Sequence, residues 1–134
     1  MLKQVSVFAE NKKGTMLAIT GVLADNQINI LGSVTNDSAE YGIVRMVVSD
    51  PEKAKEVLAA KGFICKLTDV IGVEVEDEVG KLNKLLEALD DANISVNYLY
   101  LSYNRESGCP IMVLHTDDAR EVESSLRSKG FSLC

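Results

Sequence analysis

The sequence predicts an α+β fold of two units, each a four-stranded antiparallel sheet with two helices on one face. Two observations carry this reading. The chain repeats itself, and each repeat alternates strand-like and helix-like stretches in the same order. Gly14 opens an amphipathic stretch that runs to Ile30, and Gly80 opens a matching one that runs to Val96, 66 residues further on. Lys61-Gly62-Phe63 returns as Lys129-Gly130-Phe131, now offset by 68. The two extra residues fall around Asn104 to Gly108, where a turn can absorb them. A period of this length is too long for a solenoid unit and suits a small domain. Domains at 1–68 and 69–134 are therefore expected.

Each element has a local reason. From Leu2 to Glu10, Val5, Val7 and Ala9 alternate with Gln4, Ser6 and Phe8, which is a strand signal. Asn11-Lys12-Lys13-Gly14 interrupts it. Thr15 can cap a helix, and Met16, Ile19, Val22 and Leu23 form an apolar stripe at helical spacing. Asn26 and Gln27 end that helix, and Ile28 to Val34 reads as a second strand. Asn36-Asp37-Ser38 is turn chemistry. Gly42 to Ser49 is a third strand. Asp50-Pro51 starts a second helix, with Pro at the first helical position, where its missing N–H does no harm. Lys61-Gly62 stops it, and Phe63 to Leu67 closes the unit. The second half repeats the series as Val70 to Glu76, Lys81 to Ala92, Ile94 to Ser102, Cys109 to Thr116, Asp118 to Lys129 and a tail from Phe131 to Cys134. The order β-α-β-β-α-β is that of the ferredoxin-like split β-α-β motif. Two copies would give two such sheets, side by side or face to face.

Composition bounds the function. The net charge is −6, from 20 acidic and 14 basic residues. Nucleic-acid binding leans on a basic surface, so this balance argues against it, and against anionic membranes. The apolar runs are strand-sized, too short for a bilayer span. The opening residues lack the long apolar region of a signal peptide. Cys65, Cys109 and Cys134 are odd in number and show no C-x-x-C spacing, as in a reducing interior. A cytoplasmic location is expected.

The fold hosts many activities, so the site must come from residues. RNA binding would need exposed aromatics ringed by cations. Tyr98, Tyr100 and Tyr103 are a partial set with only Arg105 near, and interface packing suits them better. A soft-metal carrier would need thiolates in the loop after the first strand, and neither loop has a Cys. His115 is the only histidine and lies mid-strand, in phase with Ile111 and Val113, which suits a structural or interface role. The cysteines lack an activating neighbour and behave as small hydrophobes. Glu74, Glu76, Asp77 and Glu78 suit a solvated strand edge better than a cation site. No catalytic residues, metal or cofactor are expected. What remains is the glycine before each first helix. Gly14 and Gly80 allow a close backbone approach at a helix N-terminus, whose N–H groups favour a carboxylate.

These residues resemble a known family. Val5-Ser6-Val7-Phe8-Ala9-Glu10-Asn11-Lys12-Lys13-Gly14-Thr15, followed by Val22-Leu23-Ala24-Asp25-Asn26-Gln27-Ile28-Asn29-Ile30, resembles the start of an ACT domain. Val73-Glu74-Val75-Glu76-Asp77-Glu78-Val79-Gly80-Lys81-Leu82, with Leu85 to Leu89, Ile94 and Asn97-Tyr98, resembles it again. The whole chain is similar to a stand-alone tandem ACT-domain protein. That resemblance implies a small ligand, most often an amino acid, bound at boundaries between ACT domains, and control of an associated enzyme. It points to Asn11, Lys12, Lys13, Gly14, Thr15 and Met16, and in the second repeat to Asp77, Glu78, Val79, Gly80, Lys81 and Leu82. The strand facing the loop from a neighbouring domain would contribute Asn29, Ile30 and Leu31, and Ser95, Val96 and Asn97. The family often has Pro before the Gly, where Lys13 and Val79 stand here.

The expectation is thus a non-catalytic regulatory protein that binds an amino acid, with no cofactor. The alternative is a ligand-free assembly subunit of a separate metabolic enzyme. An enzyme using His115 and a cysteine is the third reading. The expected partners are the small ligand, a second copy of the chain as a homodimer, and a metabolic enzyme, with no nucleic acid and no membrane. The dimer expectation rests on Ile43 to Val47 and Ile111 to His115, which are apolar on both faces although a two-layer unit needs only one apolar face.

Overall fold

The computed structural model describes residues 1–10, 12–36 and 41–134. Six strands and four helices follow in the order β1 (Leu2–Glu10), α1 (Thr15–Asp25), β2 (Ile30–Asn36), β3 (Tyr41–Val48), α2 (Pro51–Ala60), β4 (Ile64–Glu74), α3 (Lys81–Asp91), β5 (Tyr98–Tyr103), β6 (Pro110–His115) and α4 (Ala119–Ser128). Contacts divide the chain into two compact units. The first is Lys3–Thr68. The second is Asp69–Cys134 together with Met1–Leu2.

In the first unit β3 is central. It pairs antiparallel with β1, Gln4 opposite Val47 and Glu10 opposite Tyr41, and with β2, Ile30 opposite Val48. In the second unit β6 pairs antiparallel with β4, Glu74 opposite Ile111, and with β5, Tyr98 opposite His115. The alternation along β1 does what the pattern predicts. Val5, Val7 and Ala9 join Val44, Met46 and Val48 in one core, which α1 and α2 cover.

The repeat extends to the packing. Each helix buries one pair four residues apart, so both members face the same way. The pairs are Ile19 and Leu23 in α1, Ala54 and Leu58 in α2, Leu85 and Leu89 in α3, and Val122 and Leu126 in α4. Helix ends repeat as well. The Phe63 N–H donates to the Leu58 carbonyl and the Phe131 N–H to the Leu126 carbonyl, both at 3.1 Å, the long-range bond of a Schellman stop.

Several boundaries differ from the sequence reading, each for a local reason. The second strands begin at Ile30 and Tyr98, not at Ile28 and Ile94. The N–H groups of Ile28 and Ile94 still close the preceding helices, donating to Leu23 and Leu89 at 2.9 Å. Thr15 does not cap α1. The N-cap is Gly14, which has no side chain, and among the described residues none caps the free amides there. Phe63–Leu67 and Val70–Glu76 are not two strands, because β4 runs unbroken from Ile64 to Glu74. Nothing between them breaks β geometry, and the side chains keep their phase: Phe63, Cys65 and Leu67 reach the first core, Ile71, Val73 and Val75 the second. The tail makes one isolated bridge, Val73 with Leu133. Asp50 does cap α2, accepting from the Lys53 N–H at 3.2 Å. Of the turn Asn36-Asp37-Ser38, the last two residues lie outside the described residues.

Gly72 marks a tight backbone approach. A Cβ there would lie 2.7 Å from Leu2 Cδ1, 3.2 Å from Cys134 Cβ and 3.3 Å from Ile111 Cγ2. Gly72→Val is expected to destabilise the protein by about 1–3 kcal/mol through overpacking, read by urea unfolding.

Candidate functional site

The two glycine loops have the same geometry. Gly14 sits at φ 90°, ψ −10° and Gly80 at φ 87°, ψ −4°, the left-handed region that a β-carbon disfavours. Each glycine carbonyl accepts the first helical bond, from Ala18 at 2.9 Å and from Lys84 at 3.0 Å. The Thr15 and Lys81 N–H groups turn back to the carbonyls of Lys12 and Glu78 at 3.3 Å. Among the described residues neither helix has a side-chain cap. The amides of Met16 and Leu17, and of Leu82 and Asn83, therefore have no acceptor within their helices.

Each loop borders a shallow pocket. The first, about 260 Å³, is lined by Phe8, Lys12, Thr15, Phe63 and Ile64 among others. The second, about 180 Å³, includes Asp77, Glu78, Leu82, Leu101 and Tyr103. Charge separates them. In the first loop Lys12 Nζ pairs with Glu10 Oε2 at 3.1 Å, and with Lys13 the loop carries a net +1. In the second, Lys81 Nζ lies 3.4 Å from Glu76 Oε2 and 3.8 Å from Glu78 Oε2, and with Asp77 the sum is −2. The contrast is softer than Lys12-Lys13 against Asp77-Glu78 suggests, because Glu10 and Lys81 each oppose their own loop.

The remaining expected residues are not beside these loops in their own unit. Glu10 pairs with Tyr41, whereas Ile30 pairs with Val48, seven residues along β3. At about 3.3 Å per residue, Asn29, Ile30 and Leu31 lie about 23 Å from the Gly14 end. Likewise Tyr98, just after Ser95, Val96 and Asn97, is opposite His115, while Tyr103 at the Gly80 end is opposite Pro110. Asn11 lies outside the described residues. Lys12, Lys13, Gly14, Thr15 and Met16 share the first loop and the start of α1. Asp77, Glu78, Val79, Gly80, Lys81 and Leu82 share the second and the start of α3.

The sequence reading missed the apolar walls. Phe8, Ile64 and Leu17 are 41%, 71% and 76% exposed around the first loop, and Leu101 and Tyr103 are exposed around the second, beside the expected Val79. Strand phase was the available signal for Phe8, which points away from Val7. The apolar faces behind the dimer argument are not open, however. Val47, Ile111 and Val113 are already buried within the chain.

The other candidates take structural places. His115 stacks on Tyr98 at 4.9 Å between centroids, and its Nδ1 lies 3.0 Å from Asn97 Nδ2, which also donates to Asp117 Oδ1 at 3.1 Å. Tyr100 is buried, so the tyrosines form no open stacking platform. Asn104 Nδ2 donates to Glu74 Oε1 at 2.8 Å, holding one member of the acidic cluster. Among the described residues no group of three or more His, Cys, Asp or Glu could hold a metal ion. No helix among them is long and apolar enough to cross a membrane. Burial raises the pKa of Cys65 against the pull of Lys55. Burial, then Glu74, raises that of Cys134, against the N-terminal ammonium. Both are expected to stay thiols at pH 7 and to alkylate more slowly with iodoacetamide than a free cysteine, read by mass spectrometry.

Comparison with known proteins places this geometry. A family model described as an ACT domain pair matches residues 1–131. No curated protein matches. Among solved structures, protein BT0572 from Bacteroides thetaiotaomicron is 32% identical with a TM-score of 0.91, over 99% of this chain and 91% of that one. The ligand-free regulatory subunit of aspartate kinase from Thermus thermophilus shares the fold at 17% identity and a TM-score of 0.68, over 93% of this chain and 87% of its own. The corresponding subunit from Thermus flavus shares it at 16% identity and 0.62, over 94% and 90%. With two α+β units, paired glycine loops and a match over nearly its whole length, the chain belongs to the ACT domain pair family.

Proposed function

We propose that this protein is a non-catalytic regulator that binds a free amino acid at the Gly14 loop and acts on a separate metabolic enzyme in the cytoplasm. One observation carries the reading: the uncapped N-terminus of α1 behind a left-handed Gly14, in a loop of net positive charge. A carboxylate accepting from the Met16 and Leu17 amides would supply the missing cap, and the helix dipole favours it. The loop is half of a site. The strand-entrance residues Asn29 to Leu31, and Ser95 to Asn97, are distant within their own units, and in our reading they serve as the facing half for a loop of a second copy of the chain. The two domains we assign are 1–68 and 69–134.

The family supports small-molecule regulation, and the exposed Phe8, Leu17 and Ile64 support a homodimer that covers them. Sedimentation at tens of micromolar protein is expected to give at least a dimer mass, and a monomer would contradict it. A melting-temperature screen of the twenty amino acids tests the function. At a hundredfold excess over its Kd, a ligand adds about 2.7 kcal/mol, a shift on the order of 5 °C. No shift with any of them would favour the alternative, a ligand-free assembly subunit.

A further inference from the structure

The two repeats build the same helix for different surroundings. Ile19 and Leu23 in α1 match Leu85 and Leu89 in α3, and each pair faces its own core. The opposite face of α3 is dressed for water. Asn83, Glu87 and Asp90 follow there at helical spacing, and Asn83 Nδ2 donates to Glu87 Oε1 at 3.0 Å. At the same positions α1 carries Leu17, Gly21 and Ala24, with Ala18 where α3 has Lys84. Leu17, Ala18 and Ala24 are exposed. No side chain from Thr15 to Ala24 is charged, whereas Lys81, Lys84, Glu87 and Asp90 are charged over the matching stretch. Thr20, on the shoulder of this face, turns its polarity inward. Its hydroxyl donates back to the helix, shared between the carbonyls of Met16 at 3.0 Å and Leu17 at 3.2 Å.

Gly21 sharpens the contrast. A glycine inside a helix weakens it, and nothing described in this unit calls for one, since a Cβ at Gly21 meets no atom within 4 Å. The missing side chain leaves a notch on the open side. The exposed Leu17 is a knob on the same face, one turn away and about 6 Å along the axis. Knob and notch are self-complementary. Two copies of α1 laid antiparallel about a two-fold axis seat each Leu17 on the other's Gly21. That register also sets residues 13 and 25 opposite each other, and these are Lys13 and Asp25. Both are exposed, and neither has an ion pair among the described residues. The opposed helix dipoles favour the same arrangement.

We infer that the outer face of α1 is the surface on which two copies of this chain pair, antiparallel, with Leu17 of each over Gly21 of the other and Lys13 against Asp25 at both ends. The inference rests on the homodimer of the proposed function and names its surface and register. The same register carries the Gly14 loop of one copy to the end of the other's α1, a few residues before Asn29.

The test is sedimentation equilibrium of the full-length chain without ligand, with circular dichroism confirming the fold of each variant. The wild type is expected to be a dimer at tens of micromolar protein. Leu17→Asn with Gly21→Glu, which gives α1 the polar pair of α3, is expected to weaken the dimer by at least about tenfold, as for loss of a buried apolar anchor. The melting temperature of the dissociated chain is not expected to fall, because the added side chains meet open space. Lys13→Asp and Asp25→Lys are each expected to weaken the dimer, since each sets like charges together at both ends. Combining the two restores opposite charges and is expected to bring the dimer back to within about threefold of the wild type. Lys84→Asp, on the outer face of α3, is expected to change nothing. A wild-type monomer would overturn both the inference and the homodimer, and would leave this face to a different protein. A dimer that ignores Leu17→Asn with Gly21→Glu would overturn the α1 surface while the homodimer stands. Failure of the double charge exchange to restore what each single change removes would overturn the register.

Discussion

Gly14→Val is expected to abolish amino-acid binding, while Gly80→Val leaves most of it. At φ 90° a β-branched residue is strained, by roughly 1–3 kcal/mol, and no neighbour lies within 4 Å of the added Cβ to clash with it. The substitution therefore acts on the backbone. Relaxing φ re-aims the Met16 and Leu17 amides, the donors assigned to the carboxylate. Gly80→Val imposes the same strain at φ 87°. Its loop sums to −2 against +1 for the first, and already holds Lys81 between Glu76 and Glu78. Two unit charges about 4 Å apart interact by roughly 4 kcal/mol at an effective dielectric near 20. These side chains are largely exposed, so solvent and salt reduce that several-fold. A residual 1.4 kcal/mol is still tenfold in affinity. Calorimetry on both variants, with circular dichroism confirming the fold, reads the difference. Loss of binding in Gly80→Val with binding intact in Gly14→Val would reverse the assignment of the two loops.

Leu85→Ala is expected to cost about 2–5 kcal/mol of stability, the range for truncating a fully buried leucine. Leu85 has no exposure and packs in one core with Ile71, Val73, Leu114 and Leu126, drawn from β4, β6 and α4. Those strands and helices hold α3 in place, so the cavity cannot close cheaply. The melting temperature should fall on the order of 10 °C. Leu86→Ala, one residue on and 37% exposed, should cost far less. Equal losses from the two would mean that α3 does not pack as described.

The fold was legible because the periodicities were strong and occurred twice. Val5, Val7 and Ala9 at period two, and Ile19 and Leu23 at helical spacing, each face the core that the pattern assigns them. Boundaries were less legible. Ile28 and Ile94 look like strand residues, yet their amides finish helices through Gln27 and Asn93 at φ 59° and 57°, a choice that hydrophobicity does not encode. Segments 63–67 and 70–76 are each strand-like, but whether they join depends only on the absence of a break. The glycine loops were found from the sequence, since only a repeated glycine before a helix invites that reading. Their apolar rims and their internal ion pairs were not, because Glu10, Ile64 and Leu101 meet the loops through strand register.

The central claim is that a free amino acid docks on the amides that open α1. The most direct measurement is a proton–nitrogen NMR titration of the uniformly labelled protein with the amino acid that raises its melting temperature most. The account predicts that the amide signals of Met16 and Leu17 move in a saturable way, with those of Lys12 to Thr15, and that the loop at Gly80 responds less. Saturable shifts that leave Met16 and Leu17 in place, or no saturable shift with any of the twenty amino acids, would contradict it.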